Sequence, residues 1–313
     1  MEVYNKPQSV DELLQEYKKQ NKSYKSEKLI FDIQDNRDVY NITAPFKMSE
    51  EYIIAGRVEK RDSEISETIF FVQQEKVWIK KEGAPILKLQ DPFFTVIKGE
   101  LIFGGVEVYS NPIQAGCLGY RTAFYKGKNI YSLEKFAVGP AMMKDIRLLE
   151  LDNGKILVFT RPQGEIGGRG TIGYIIIDSL DELSEDKILA AKLFKNQFLK
   201  SEWGGANELH RLSNGLVGVL GHIAKFDEEG NRHYYSMTFA FNPTDGEITP
   251  MKIVAIRSDF GEAEYKRKDL TDVIFSGGMI RNKNGQSELY CGVSDAEAHK
   301  ITIDDPFLEY EKS

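Results

Sequence analysis

Three carboxylates, Asp91, Asp145 and Glu208, begin three stretches of the chain that read alike, and Arg57, Arg161 and His222 end stretches of the same form. Lys144 stands next to Asp145. Carboxyl groups brought to one cleft suit glycosyl transfer or hydrolysis, because the leaving glycosidic oxygen needs a proton while the oxocarbenium-like carbon is attacked from its other face. Crowded acids also raise one another's pKa, which would keep one of them protonated at neutral pH. Arg57, Lys144, Arg161 and His222 add positive or switchable groups, and an arginine holds a phosphate or carboxylate through a forked pair of hydrogen bonds. Each residue also has a plain structural reading. Asp91 precedes Pro92 and could be a turn residue, and Asp145 a strand-end cap. Arg161 could be in an ion pair with Asp145 or Glu165, and His222 could be a satisfied core histidine.

These residues are far apart in sequence, so the elements between them must bring them together. The segments that end at Arg57, Glu107, Arg161, His222 and Asp295 share one form, an apolar strand, a tight polar turn and a second apolar strand. Their turns carry Lys98-Gly99, Asn153-Gly154, Asn214-Gly215 and Asn284-Gly285, and the three Asn-Gly pairs predict hairpins of type I′ or a related kind. The intervals between segment ends leave room for two more strands each. The period therefore predicts an all-β, five-bladed β-propeller, in which loops from distant blades meet in one axial pocket. A large β-sandwich is the alternative. Ser9 and Glu12 form a capping box before Val10, Leu13, Leu14 and Tyr17, which predicts one amphipathic helix. We place residues 1–27 in an N-terminal helical extension and residues 28–313 in the propeller. A second helical stretch is predicted around Leu180 to Phe198.

Composition narrows the class. The 41 Lys and Arg against 48 Asp and Glu leave a net charge of −7, a surface that repels nucleic acid. No apolar run reaches the length of a membrane helix, and the first twenty residues lack the apolar core of a secretory signal, so a cytoplasmic protein without membrane contact is expected. Cys117 and Cys291 lack CxxC spacing and read as two thiols rather than a bridge. Association between copies of the chain stays open.

Six short motifs occur in order: Gln90-Asp91-Pro92, Lys144-Asp145, Thr160-Arg161-Pro162, Gly204-Gly205 with Leu209, Gly221-His222, and Leu289 through Asp295. Together they resemble the five-bladed propeller glycosidases that include β-mannoside phosphorylases and β-1,2-mannosidases, and in particular an uncharacterised branch of that superfamily. The resemblance runs from about residue 40 to the C-terminus. It implies that Asp91 is the proton donor, that Lys144, Arg161 and His222 surround phosphate or sugar, and that Asp145 and Asp295 orient sugar hydroxyls. Inorganic phosphate would then be a co-substrate, with no other cofactor.

The chain departs from that pattern at three places. Phe93 replaces an arginine, which removes an expected positive charge, Gln90 replaces an acid, and Asn207-Glu208 replaces a double proline. Glu208 could be a general base for water or could bind a sugar hydroxyl. Trp203, beside Gly204-Gly205, either stacks on a sugar face or packs. The glycine-rich run from Gly164 to Gly170 lacks the Lys-Ser/Thr of a P-loop and reads as a rim loop, and Asp32, Asp35 and Asp38 lack the glycine and glutamate of a calcium loop, so no metal is assigned. The expectation is a carbohydrate-active enzyme that cleaves a β-mannoside-like oligosaccharide by phosphorolysis or hydrolysis. Asp91 and Glu208 are its candidate catalytic residues, and Arg57, Glu107, Lys144, Asp145, Arg161, Trp203, His222 and Asp295 are its candidate substrate contacts. The rival is a non-catalytic carbohydrate-binding propeller that kept the pocket and lost the chemistry.

Overall fold

The computed structural model describes residues 6–110 and 117–312. Strands make up most of the protein's regular secondary structure, with a few short helices. Among the described residues, the strands fall into five antiparallel meanders. In the first, Asp38–Tyr40 and Phe46–Met48 both pair with Glu51–Glu59, followed outward by Glu67–Gln74, Val77–Lys80 and a parallel Ile30–Asp32. The second runs Gln90–Ile97, Glu100–Ser110, Leu118–Gly127, Glu134–Val138, and the third Arg147–Glu150, Ile156–Thr160, Gly173–Ile177, Lys192–Leu193. The fourth runs Trp203–Arg211, Val217–Phe226, Arg232–Phe241, Lys252–Ala255. The fifth, Asp272–Arg281, Gln286–Val293 and Glu297–Asp304, is completed by Lys25–Lys28, which pairs antiparallel with Glu297–Asp304. A two-residue parallel bridge, His233 with Asp272 and Tyr234 with Val273, joins the fourth meander to the fifth.

Apolar side chains explain how the meanders pack. Phe46, Ile53 and Phe70 of the first meet Leu101 and Phe103 of the second. Phe93 and Phe124 meet Ile146, Leu148 and Val158 of the third. Leu157 and Phe159 meet Val219 and Phe239 of the fourth, Leu220 and Ala240 meet Ile274 and Leu289 of the fifth, and Tyr290 and Ala298 return to Val39, Ile54 and Phe71 of the first. Each fully buried Phe or Leu contributes roughly 1.5–3 kcal/mol by leaving water.

All five predicted hairpins form, but their turns differ from the expectation in detail. Lys98 and Gly99 both have positive φ, 50° and 79°, between the paired residues Ile97 and Glu100, which makes the two-residue type I′ turn. In the three Asn-Gly turns only the glycine is left-handed, at 77°, 82° and 85° for Gly154, Gly215 and Gly285. Each of those glycines donates its N–H three residues back, to Leu151, Leu212 and Asn282, so these are type I turns closed by a left-handed glycine.

The N-terminal helix spans Val10–Lys19 with the capping box formed, and it buries Val10, Leu13 and Tyr17 against the core between the third and fourth meanders. The second predicted helix is cut short. Only Glu185–Leu189 is α-helical, after a 3-10 turn at Leu180–Glu182, and the chain then becomes the edge strand Lys192–Leu193. Phe194 decides this, because an edge strand lets its ring pack against Phe159, Tyr174 and Phe241, a larger gain than helix propensity offers. Cys117 and Cys291 are free thiols, and among the described residues no helix is long and apolar enough to cross a membrane.

Candidate functional site

The site is built where the first strands of the meanders begin. Asp91 lies in a β-bulge, where the register of Gln90–Ile97 against Glu100–Ser110 slips between Gln90 and Phe93. Two further bulges, between Ala206 and Glu208 and between Ser276 and Gly278, sit at the matching places of the fourth and fifth meanders. A bulge turns a side chain out of the ladder and re-aims it. Asn41, Asp91, Asp145 and Asp295 also adopt left-handed backbone, with φ of 43°, 49°, 60° and 52°. Asn and Asp tolerate this region best among residues with a side chain, and each instance still costs about 1–3 kcal/mol that the surrounding fold must offset.

These turns bring the carboxylates to buried cations. Asp91, 5% exposed, accepts from Asn41 Nδ2 at 2.7 Å and from Arg57 Nη1 at 3.2 Å. Arg57 also reaches Glu59 at 3.0 Å and Ser66 at 3.0 Å and lies over the Tyr40 ring. Glu59 in turn binds Tyr40, Ser66 and Lys266 through short hydrogen bonds. Asp145, 2% exposed, stands 3.3 Å from Arg161 Nη1 and 4.0 Å from His222 Nε2, and neither of its oxygens has a hydrogen-bond partner among the described residues. Arg161 donates Nε to the Gly204 carbonyl at 2.9 Å. The ion pair of Arg161 is with Asp145 and not with Glu165. Lys144 makes no ion pair or hydrogen bond among the described residues; its ammonium is held by the fields of Asp145 and Asp91.

Electrostatics divide the acids. Burial would raise Asp91, but Arg57, Lys144 and the Asn41 amide hold it below the ordinary carboxylate range. Burial is likewise outweighed at Asp145, chiefly by Arg161 and Lys144. Mutual crowding therefore does not keep either of these acids protonated, because the cations between them win. Only at Asp295 does burial prevail over Arg57 and push the carboxyl up. Burial pushes His222 down to about 3, so its ring is neutral at physiological pH.

Lys144 and Arg161 line a cavity of about 610 Å³, and the buried acids Asp91 and Asp145 act on these two cations. Its walls include Gln90, Tyr120, Arg169, Trp203, Phe226 and Tyr234. Trp203 is 4% exposed, packs on Phe226 and donates Nε1 to Tyr234 Oη at 3.0 Å, so its faces are largely taken and the exposed aromatic of this wall is Phe226. The glycine-rich run lies at the rim: Arg161 and Gln163 both donate to the Arg169 carbonyl, and Gly170, at φ 141°, passes so close to the Arg161 guanidinium that a Cβ there would come within 2.6 Å.

The structure thus brings Arg57, Asp91, Lys144, Asp145, Arg161, His222 and Asp295 into one charged cluster with Trp203 on the adjoining wall. Glu107 is not among them. It pairs with Arg121 at 2.9 Å and Lys135 at 2.5 Å on the side of its strand away from the neighbours Val106 and Val108 that line the cavity. Glu208 has its Oε2 committed to the Met279 N–H and to His210, both at 2.7 Å. The positive charge expected to be missing at Phe93 is present nearby, because the Arg147 guanidinium lies 4.1 Å from the centre of the Phe93 ring. Sequence reasoning passed over Asn41, Asn207, Arg147 and Arg169. The first was readable, since Asn41 opens the first hairpin segment as Asp91 and Asp145 open theirs.

A family model described as "Protein of unknown function (DUF1861)" matches residues 15–309. No curated protein matches the chain. Among solved structures, the chain is similar to MPT-4, a mannose phosphorylase from Leishmania mexicana in complex with phosphate ion, at 33% identity over 95% of this chain and 93% of that one, with a TM-score of 0.87. It is similar to MPT-1, a GDP-Man-dependent mannosyltransferase from Leishmania mexicana, at 33% identity over 96% and 95% of the two chains, TM-score 0.86. A β-1,2-mannobiose phosphorylase from Listeria innocua shares the fold at 14% identity, 90% and 94% coverage and a TM-score of 0.62. The chain belongs to the DUF1861 family, an uncharacterised branch of the proteins that resemble mannoside phosphorylases.

Proposed function

We propose that the five meanders are the blades of a closed propeller and that its pocket transfers a mannosyl group between a sugar hydroxyl and phosphate. The observation that carries this reading is the convergence of the buried carboxylates Asp91 and Asp145 on Lys144 and Arg161, two cations that line one cavity. The ring is supported by the apolar clusters, which link each meander to the next and the fifth back to the first. In phosphorolysis a phosphate oxygen bonds to the anomeric carbon as the glycosidic C–O bond breaks, and the leaving oxygen takes a proton from Asp91. In synthesis the same carboxylate takes the proton of the acceptor hydroxyl while the bond to phosphate breaks. The resting site, with Asp91 ionised beside Arg57, is prepared for the second direction. Lys144 and Arg161 neutralise phosphate, and Asp145, poor in donors of its own, takes sugar hydroxyls.

The test is direct. Purified protein given mannose 1-phosphate and a mannose or manno-oligosaccharide acceptor should release phosphate, and Asp91→Asn should lower that rate by at least about a hundredfold. A sugar-binding protein without chemistry would bind the acceptor and release nothing. A second reading, transfer from GDP-mannose, is favoured by the cavity wall of Phe226, Arg169 and Arg232, which extends beyond the acid and phosphate end. Release of GDP instead of phosphate would select it.

A further inference from the structure

Arg147 is a cation buried at 5% exposure with no carboxylate within ion-pair distance among the described residues. Desolvating a guanidinium without a counter-ion is expensive, so its contacts must be read closely. Nε donates to the Asn207 carbonyl at 2.6 Å, Nη1 donates to the Ile146 carbonyl at 3.0 Å, and the planar face rests on Phe93. Asn207 is the residue displaced by the bulge in Trp203–Arg211, so its carbonyl has left the strand ladder and Arg147 is its partner. The Asn207 side chain then meets His222, with Oδ1 2.8 Å from Nδ1.

A carbonyl oxygen only accepts, so in this pairing Nδ1 of His222 carries the proton and the lone pair is on Nε2. Nε2 is the nitrogen turned toward Asp145. Tyr234 and Phe275 lie against the ring at centroid distances of 5.4 and 5.6 Å, which leaves rotation of the imidazole little room. The charged groups that act on His222 are Asp145, Arg161, Lys144 and Arg147.

We propose that Arg147 is the positioning residue of the site: by gripping the bulged carbonyl of Asn207, it fixes His222 as the neutral Nδ1–H tautomer and keeps the Nε2 lone pair turned toward Asp145, behind the cavity wall formed by Lys144 and Arg161. The role in turnover rests on the mannosyl-transfer reading; the tautomer does not.

The experiment separates the two. In uniformly ¹⁵N-labelled protein, long-range ¹H–¹⁵N spectra resolve the histidine ring nitrogens, and His222→Gln identifies the signals of His222. The wild type should show one neutral tautomer, protonated at Nδ1, from pH 8 to pH 5. Arg147→Met should bring in the other tautomer or a titration in that range, and Arg147→Lys, which keeps one donor toward Asn207, should restore the single form. With mannose 1-phosphate as donor, Arg147→Met should lower kcat about tenfold or more, with KM changing less than threefold, and shift the pH profile. A folded Arg147→Met protein with unchanged His222 signals overturns the proposal whatever its activity. Should that variant not fold, the wild-type spectrum decides alone: a His222 ring protonated at Nε2, or a mixture of tautomers, overturns the proposal. A wild type that shows the fixed tautomer and transfers no mannosyl group overturns the function and leaves the positioning role standing.

Discussion

Arg57 Nη1 stands 3.2 Å from Asp91 Oδ1, and with the Asn41 amide on the same oxygen it keeps the carboxylate ionised well below neutral pH. The two directions of the proposed reaction must then differ in their response to pH. Synthesis needs the ionised form, already complete at pH 5, and its kcat/KM should not fall for want of the carboxylate between pH 5 and 8. Phosphorolysis needs a proton delivered through Asp91 and should slow as pH rises toward 8. Initial rates in both directions across that range check this, and phosphorolysis that speeds up with pH would count against Asp91 as the donor.

Lys144 makes no ion pair or hydrogen bond among the described residues, so its removal should be felt chiefly by phosphate. Lys144→Met should raise the KM for phosphate by about tenfold to a hundredfold, the scale of one charged hydrogen bond, with less than a twofold change in the KM for the sugar. Equal rises in both KM values would place Lys144 elsewhere in the mechanism.

His222 gives the fold a pH dependence of definite sign. Its ring stays neutral in the folded protein down to about pH 3, whereas the unfolded chain binds a proton near 6.5. Between those values the unfolded state holds more protons, so stability falls as pH drops, by up to about 1.4 kcal/mol per unit. The depressed carboxylates Asp91 and Asp145 act in the same direction at lower pH, since their stabilisation is lost as pH falls through their folded values. Urea midpoints at pH 7, 6, 5 and 4 should decline in the wild type and decline less in His222→Gln. Parallel declines would mean that other groups carry the effect.

Gly277 faces a backbone wall. A Cβ there would lie 1.4 Å from the Ile42 carbonyl oxygen, and no side-chain rotation can relieve that contact. Gly277→Ala should therefore cost more than about 4 kcal/mol or prevent folding, as read from denaturant unfolding or soluble yield. Gly215→Ala, with open space around its Cβ but a φ of 82°, should cost only about 1 kcal/mol. A similar cost for both would contradict the close packing between the first and fifth meanders.

What the sequence reveals here follows from what repeats. Hairpins were legible because apolar strands and Asn-Gly turns recur, and the acids Asp91 and Asp145 were legible because they open equivalent segments. Glu107 closes a segment in the same way as Arg57 and Arg161, yet it points to Arg121 and Lys135, because a bulge or a single slip in a strand's alternation changes the face a residue occupies. Phe194 shows the reverse case, where local helix preference gave way to an aromatic cluster whose members lie up to 47 residues away in sequence. Arg147 has no sequence signature, and Asn207 stood out only as a departure from a motif, since their roles come from a backbone carbonyl that only the bulge exposes.

The antiparallel pairing of residues 25–28 with residues 299–302 has a consequence for biosynthesis. The early segment leaves the ribosome without its neighbour and must wait for nearly the whole chain, on the order of 15 to 55 s at roughly 5–20 residues per second. For that interval the nascent polypeptide carries an unmatched amide edge, open to capture by chaperones or by a second nascent chain. Joining those two ends through a linker and opening the chain at an exposed turn elsewhere would remove the wait.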